Sequence, residues 1–110
     1  MTGFPKAVRD QVIARASGYC ERCGKLSFRY EIHHRRPRGM GGSKAADTNT
    51  AANALFVCAD CHREIEADRK AALKFGWLVR QGQEPAEVKV FRRGTWVQLN
   101  NEGGLAQWQA

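Results

Sequence analysis

Four cysteines in two CxxC pairs, Cys20 with Cys23 and Cys58 with Cys61, constrain this 110-residue chain more than any other feature. A CxxC turn lets two thiolates reach one ion, and two such turns complete the tetrahedron that zinc prefers. A chain of this length forms one domain with a modest core, so a metal staple adds stability that a larger core would otherwise supply. A redox CxxC is the competing reading. It is disfavoured because the motif occurs twice and no thioredoxin-like βαβ pattern accompanies it. The start, MTGFPKAVRD, has no hydrophobic signal core, and no apolar run approaches the ~18 residues that span a bilayer. The expectation is a cytoplasmic protein without a membrane partner, in a compartment where paired thiols bind metal more often than they oxidise.

Thirty-four residues separate the two pairs, more than a simple zinc ribbon requires. The insert contains YEIHHRRPR at 30–38, in which Phe28, Tyr30 and Ile32 alternate with Arg29 and Glu31 ahead of His33 and His34. Neighbouring side chains on a strand point to opposite faces, so one imidazole can hold a metal while the other faces a substrate. Arg35, Arg36 and Arg38 follow directly. Residues 1–40 hold nine Lys or Arg and three acids, a net of +6, whereas residues 41–110 hold nine and eight, a net of +1. A basic first half around a histidine pair suits a polyanion, of which nucleic acid is the commonest.

Taken in order, Phe4-Pro5 begins a helix with Pro at its first position, Val8, Val12, Ile13 and Ala16 form its apolar stripe, and Gly18 ends it. Leu26 to His34 reads as a hairpin arm. Residues 38–53 read as a long glycine-rich loop in which Gly39, Gly41 and Gly42 let the backbone turn sharply or approach a ligand. Leu55, Phe56 and Val57 form a short buried strand, and residues 58–75 run from the second knuckle into one helix stopped by Gly76. On that helix His62 and Glu66 are one turn apart. Val88 to Phe91 and Thr95 to Leu99 flank Arg92-Arg93-Gly94 as a β-hairpin, and the tail from Asn100 is expected to fray unless Trp108 docks it. Trp77, Phe91 and Trp96 read as packing aromatics, with base stacking as the alternative.

The three histidines, His33, His34 and His62, all lie near the knuckles. The cysteines already fill one zinc site, so the histidines imply a second, open metal site. Cutting a phosphodiester needs a base, a divalent ion and cations that hold the backbone. His34 can supply the base, since an imidazole titrates near neutrality. His33 and His62, with Glu66 as a third candidate, can hold the ion. Arg35, Arg36 and Arg38 can clamp phosphate. Glu31 shares the His33 face and can orient that imidazole or pair with an arginine such as Arg15.

The run IHHRRPRGMGG, then Asn53 in NALFVCADCH, resembles the HNH endonuclease family in its four-cysteine form. The match spans roughly residues 15 to 70, with Asn53 nine residues before His62. The later GWLVRQGQEPAEVKVFRRGTWVQL is similar, more weakly, to the tails of small free-standing phage-like HNH proteins. The resemblance implies an α+β fold: a ββα-metal (His-Me finger) core stapled by a four-cysteine zinc site, with an N-terminal helix and a C-terminal β-hairpin. It implies a nuclease domain over residues 1–80 and a hairpin extension over 81–110. It makes His34 the general base, His33 and His62 ligands of a catalytic Mg²⁺ or Mn²⁺, and Asn53 a brace for the loop or the base. Some members have a ligating His where this chain has Glu66. Its carboxylate would favour harder ions, and the alternative is a surface Glu paired with Arg63 or Lys70. The function implied is hydrolysis of double-stranded DNA by a monomer or weak dimer, by nicking or double-strand cleavage that leaves 5′-phosphate and 3′-hydroxyl ends. Phage terminase subunits are possible partners by analogy. The alternative functions are a non-catalytic zinc module that binds DNA and a redox or zinc-storage protein.

Overall fold

In the computed structural model, residues 3–38 and 46–109 are described. The expectation for Gly39, Gly41 and Gly42 therefore lies outside the described residues. Helix α1 covers Lys6–Ala16, with Pro5 at the cap position rather than inside the helix. Val12 and Ala16 are its buried positions. The chain leaves it through Ser17 and Gly18, both at positive φ.

Strands β1 (Tyr30–His34) and β2 (Ala54–Cys58) pair antiparallel, with His33 opposite Leu55 and His34 opposite Ala54. Both faces of β2 are covered. Ala54 and Phe56 pack with Phe4, Val12 and Ala16 of the N-terminal segment, while Leu55 and Val57 pack with Cys61, Ile65, Leu78, Val90, Val97 and Leu99. A strand buried on both sides reads as a continuous apolar run, as ALFV does. The arm expected from Leu26 is shorter than its alternation implied: Leu26 only bridges Tyr19, and the regular strand begins at Tyr30.

The single helix expected over residues 58–75 is two, α2 (Ala59–Ala67) and α3 (Arg69–Lys74). Asp68 breaks it at φ −134°, ψ 78° and caps α3 by accepting from Ala71 N at 3.1 Å. A short carboxylate that can bond its own backbone favours such a cap over a helix interior. Gly76 stops α3 as expected. It has φ 77°, and a Cβ there would lie 2.0 Å from the Lys89 carbonyl oxygen, so no other residue fits.

Strands β3 (Val90–Arg92), β4 (Thr95–Leu99) and β5 (Leu105–Gln107) form a second antiparallel sheet. Its first turn, Arg93-Gly94, has positive φ at both residues, the geometry that matches strand twist in a two-residue hairpin. The tail does not fray at once: β5 pairs with β4, and Trp108 N donates to Trp96 O at 3.1 Å. The backbone of residues 105–108 supplies the missing edge partner, which composition does not reveal. Phe75, Trp77, Phe91 and Trp96 pack ring against ring, with neighbouring centroids 4.9–6.2 Å apart. Among the described residues, no helix is long and apolar enough to cross a membrane.

Candidate metal centre and its surroundings

The two CxxC turns meet. One Sγ from each of Cys20, Cys23, Cys58 and Cys61 lies within 4.8 Å of the others, and Cys23 and Cys58 sulfurs are 4.0 Å apart. Four sulfurs ~2.3 Å from one tetrahedral ion would sit roughly 3.8 Å from each other. Backbone N–H groups of Arg22, Cys23 and Cys61 point at the sulfurs at 3.4 Å, as they do around thiolates. Burial works against charge on these thiols and pushes Cys61 and Cys23 up, whereas at Cys20 the backbone N–H donors outweigh burial and bring it to about 7. A half-buried group of four sulfurs with this conflict is relieved by a cation, and the cluster fits a structural zinc site.

The end of β1 and the start of α2 build the second group. His33 is buried, and its ring lies 5.0 Å from that of His62. His33 Nε2 donates to Trp77 O at 2.8 Å. A carbonyl only accepts, so Nε2 carries the proton and Nδ1 keeps its lone pair. Burial drives the His33 pKa down to about 4; the Trp77 carbonyl opposes this, and His62, His34 and Arg35 add to it. His33 is therefore neutral at physiological pH, the state a ligand needs. Glu31 accepts from His62 Nδ1, which leaves Nε2 free. Glu31 thus orients His62 rather than His33, and Arg15 pairs with Glu21 instead. One donor atom from each of His33, His62 and Glu66 falls within 4.8 Å of the others. Glu66 is exposed and paired with Arg69 at 2.5 Å, not with Arg63 or Lys70.

His34 faces the other way, as strand alternation requires. Its ring stacks on Phe4, with centroids 3.9 Å apart and planes at 15°. Asn49 Oδ1 accepts from Nε2 at 2.9 Å, so the free lone pair is on Nδ1. Burial lowers the His34 pKa below its ordinary value, the Asn49 bond opposes this, and nearby Arg38 adds to it. Neither Phe4 nor Asn49 stood out in the sequence as a site residue. Asn49 is one of two amides in the loop before β2, and spacing from His62 draws attention to the other, Asn53.

Asn53 is buried and ties the loop to β1: Oδ1 accepts from Arg36 N at 2.7 Å, while Nδ2 donates to Thr48 O at 2.8 Å and Arg36 O at 3.1 Å. Among the described residues its side-chain hydrogen bonds all go to backbone and none to a histidine ring.

Two of the three arginines expected to clamp phosphate are not available for it. Arg35 is fully buried and donates to four carbonyls, Gly76 O (2.8 Å), Ala52 O (2.8 Å), Pro85 O (3.0 Å) and Val88 O (2.7 Å). Alternation explains why: Arg35 is two residues after His33 and shares its inward face. Arg36 is also buried, held by Asp47 and by Gln83 O at 2.8 Å. Arg38 alone of the three is only half-buried.

A hairpin whose second strand leads into a helix, with histidines on the first strand and on the helix, is the ββα-metal arrangement, here stapled by four cysteines within an α+β fold. Residues 20–68 match the HNH endonuclease family. The type IV methyl-directed restriction enzyme EcoKMcrA of Escherichia coli (strain K12) is 31% identical over 72 residues, which cover 58% of this chain and 24% of that protein. The chain thus corresponds to about a quarter of the length of that curated relative. No solved structure matches at a significant level.

Proposed function

We propose that this chain is a metal-dependent HNH endonuclease that hydrolyses phosphodiester bonds in double-stranded DNA. The observation that carries the reading is the convergence of His33, His62 and Glu66 within 4.8 Å, one residue away from His34, whose imidazole has an outside partner for one nitrogen and a free lone pair on the other. His33 Nδ1 and His62 Nε2 would hold a divalent ion, with Glu66 as third ligand once it leaves Arg69. Its carboxylate oxygen favours Mg²⁺ or Mn²⁺. A divalent ion bound there supplies charge stabilisation at the phosphate and the leaving oxygen. His34 Nδ1 accepts a proton from the attacking water, with Asn49 and Phe4 fixing the ring. Arg38 holds phosphate, and Asn53 keeps the loop registered on β1. The nuclease domain occupies residues 1–80, with 81–110 as its hairpin extension.

Plasmid nicking with added Mg²⁺ or Mn²⁺ tests this reading. Wild type should nick, and His34→Ala should do so about 10²- to 10⁴-fold more slowly, the usual loss of a general base. Equal rates would remove His34 from the mechanism, and no nicking by wild type would leave a zinc-stapled DNA-binding module. A phage setting and a terminase partner belong to the same proposal, supported by the resemblance of residues 76–99 to phage-like tails. Co-purification with terminase subunits tests them.

A further inference from the structure

We propose that the finger between the first zinc knuckle and β1 is a wedge that inserts Phe28 between base pairs of duplex DNA beside the cleavage point; the inference rests on the nuclease reading above. Phe28 is 88% exposed, and Leu26 is 53% exposed. The finger that carries them is nevertheless tied down. Cys20 N donates to Lys25 O at 2.8 Å, Ser27 N to Gly18 O at 2.9 Å, and Ser27 Oγ to Arg29 O at 2.6 Å. Behind the tip, Tyr30 is stacked on Phe56 with centroids 4.2 Å apart. An apolar ring held outward by an ordered backbone is presented to a partner.

Charge identifies that partner. In sequence Lys25 and Arg29 lie on either side of Phe28, both exposed, and neither is ion-paired among the described residues. Tyr19 (45%), Leu26 (53%) and Tyr30 (40%) are also exposed, but Phe28 stands furthest out at 88%, so the finger ends in one protruding ring. A projecting Phe between two free cations matches the minor groove, where phosphates line both walls and an apolar side chain enters a base step and kinks the duplex. Phe28 is five residues before His33, at most roughly 17 Å along a strand, which is about five base pairs at ~3.4 Å per step. The wedge would therefore act within half a turn of the scissile phosphate. Its cost is least at flexible pyrimidine–purine steps and at mismatches, so the substrate class is deformable duplex rather than one base sequence.

The test uses the zinc-loaded full chain, without Mg²⁺ or Mn²⁺, on duplexes carrying 2-aminopurine at successive positions. Binding of wild type should raise emission several-fold at one step. Phe28→Ala should abolish the rise and bind about tenfold or more weakly, as expected on losing a base–aromatic contact, whereas Phe28→Leu should keep much of the rise because leucine also wedges. The side chain is exposed, so folding is not at stake, and circular dichroism checks this. Equal emission from wild type and Phe28→Ala, or no rise from either, overturns the wedge whatever the nicking result. A Phe28-dependent rise in a protein that never nicks with Mg²⁺ or Mn²⁺ overturns the nuclease reading and supports the wedge as a mode of DNA binding.

Discussion

Replacing Arg35 with methionine tests whether this arginine belongs to the frame or to the DNA surface. Among the described residues the guanidinium has no carboxylate partner, so the four carbonyls compensate for taking its charge out of water. Burial and the Arg15 charge lower its pKa to about 9, with Glu21 opposing them, which still leaves it protonated at neutral pH. Hydrogen bonds to a charged group contribute about 1.5–3 kcal/mol each, an upper limit of roughly 6–12 kcal/mol for four. Desolvating the ion takes back several kcal/mol. Methionine restores apolar volume but takes a donor from four carbonyls, of which Pro85 O keeps the Val88 N–H at 3.2 Å, so a net loss of about 3–5 kcal/mol is expected. A small domain is stable by only about 5–15 kcal/mol, so the variant should sit near the unfolding threshold. Urea unfolding of the zinc-loaded protein is the assay, supported by a fall in Tm of roughly 12 °C or more. A phosphate clamp would behave in the opposite way, leaving the midpoint unchanged and lowering the salt slope of DNA binding by about one. An Arg35→Met protein with the wild-type midpoint and a shallower salt slope would refute the structural role.

Three further outcomes are expected. Cys58→Ser should unfold the domain rather than only slow it, because bound zinc supplies folding energy in small metal domains; elemental analysis and circular dichroism read this together. Glu21 gives a pH signature: burial would raise its carboxyl, but the Arg15 fork, the Phe56 N–H and Arg92 outweigh burial and hold it below the ordinary value of 4.5. Its stabilisation is therefore complete above that pH and lost as pH falls below it, and Glu21→Gln should flatten this limb while costing about 3–5 kcal/mol at neutral pH by leaving buried arginines unpaired. Urea midpoints against pH, with zinc content followed in parallel, separate this from acid release of the metal. Asn49→Ala should slow nicking about 10- to 100-fold with little change in Tm, the usual effect of removing a group that orients an imidazole.

What could be read from sequence was whatever has a short-range rule behind it. The CxxC pairs, the opposed faces of His33 and His34, the apolar run of β2 and the stop at Gly76 all follow from spacing, alternation or a single φ value. Where long-range pairing decides, sequence was silent. Arg35 and Arg38 look equivalent in RRPR, yet one meets four carbonyls drawn from segments 17 to 53 residues away and the other remains partly open. Alternation applied one residue further along β1 would have turned Arg35 inward. Asn49 and Phe4 escaped notice for the same reason, since they reach His34 across 15 and 30 residues respectively.

The arginines that remain explain why the hairpin extension accompanies so small a core. Arg92 Nε donates to Glu21 Oε2 at 2.7 Å, the carboxylate already held by Arg15 from α1. Arg93 Nη2 donates to Ala16 O at 2.6 Å and Tyr19 O at 2.7 Å, and its Nε donates to Cys20 O at 3.2 Å. The hairpin turn thus adds donors at the end of α1, at Tyr19 and at the first cysteine of the knuckle, beside the local bonds from Tyr19 N to Ala16 O at 3.1 Å and from Gly24 N to Cys20 O at 2.9 Å. From the other side, Val90, Val97 and Leu99 fill the same cluster as Leu55 and Val57, the strand that pairs with the histidines. A zinc ion on the four sulfurs would fix the two knuckles to each other, and the hairpin fixes the knuckles to α1 and β2. The imidazoles lie at the meeting point of these constraints, where small displacements of β1 are opposed from both sides.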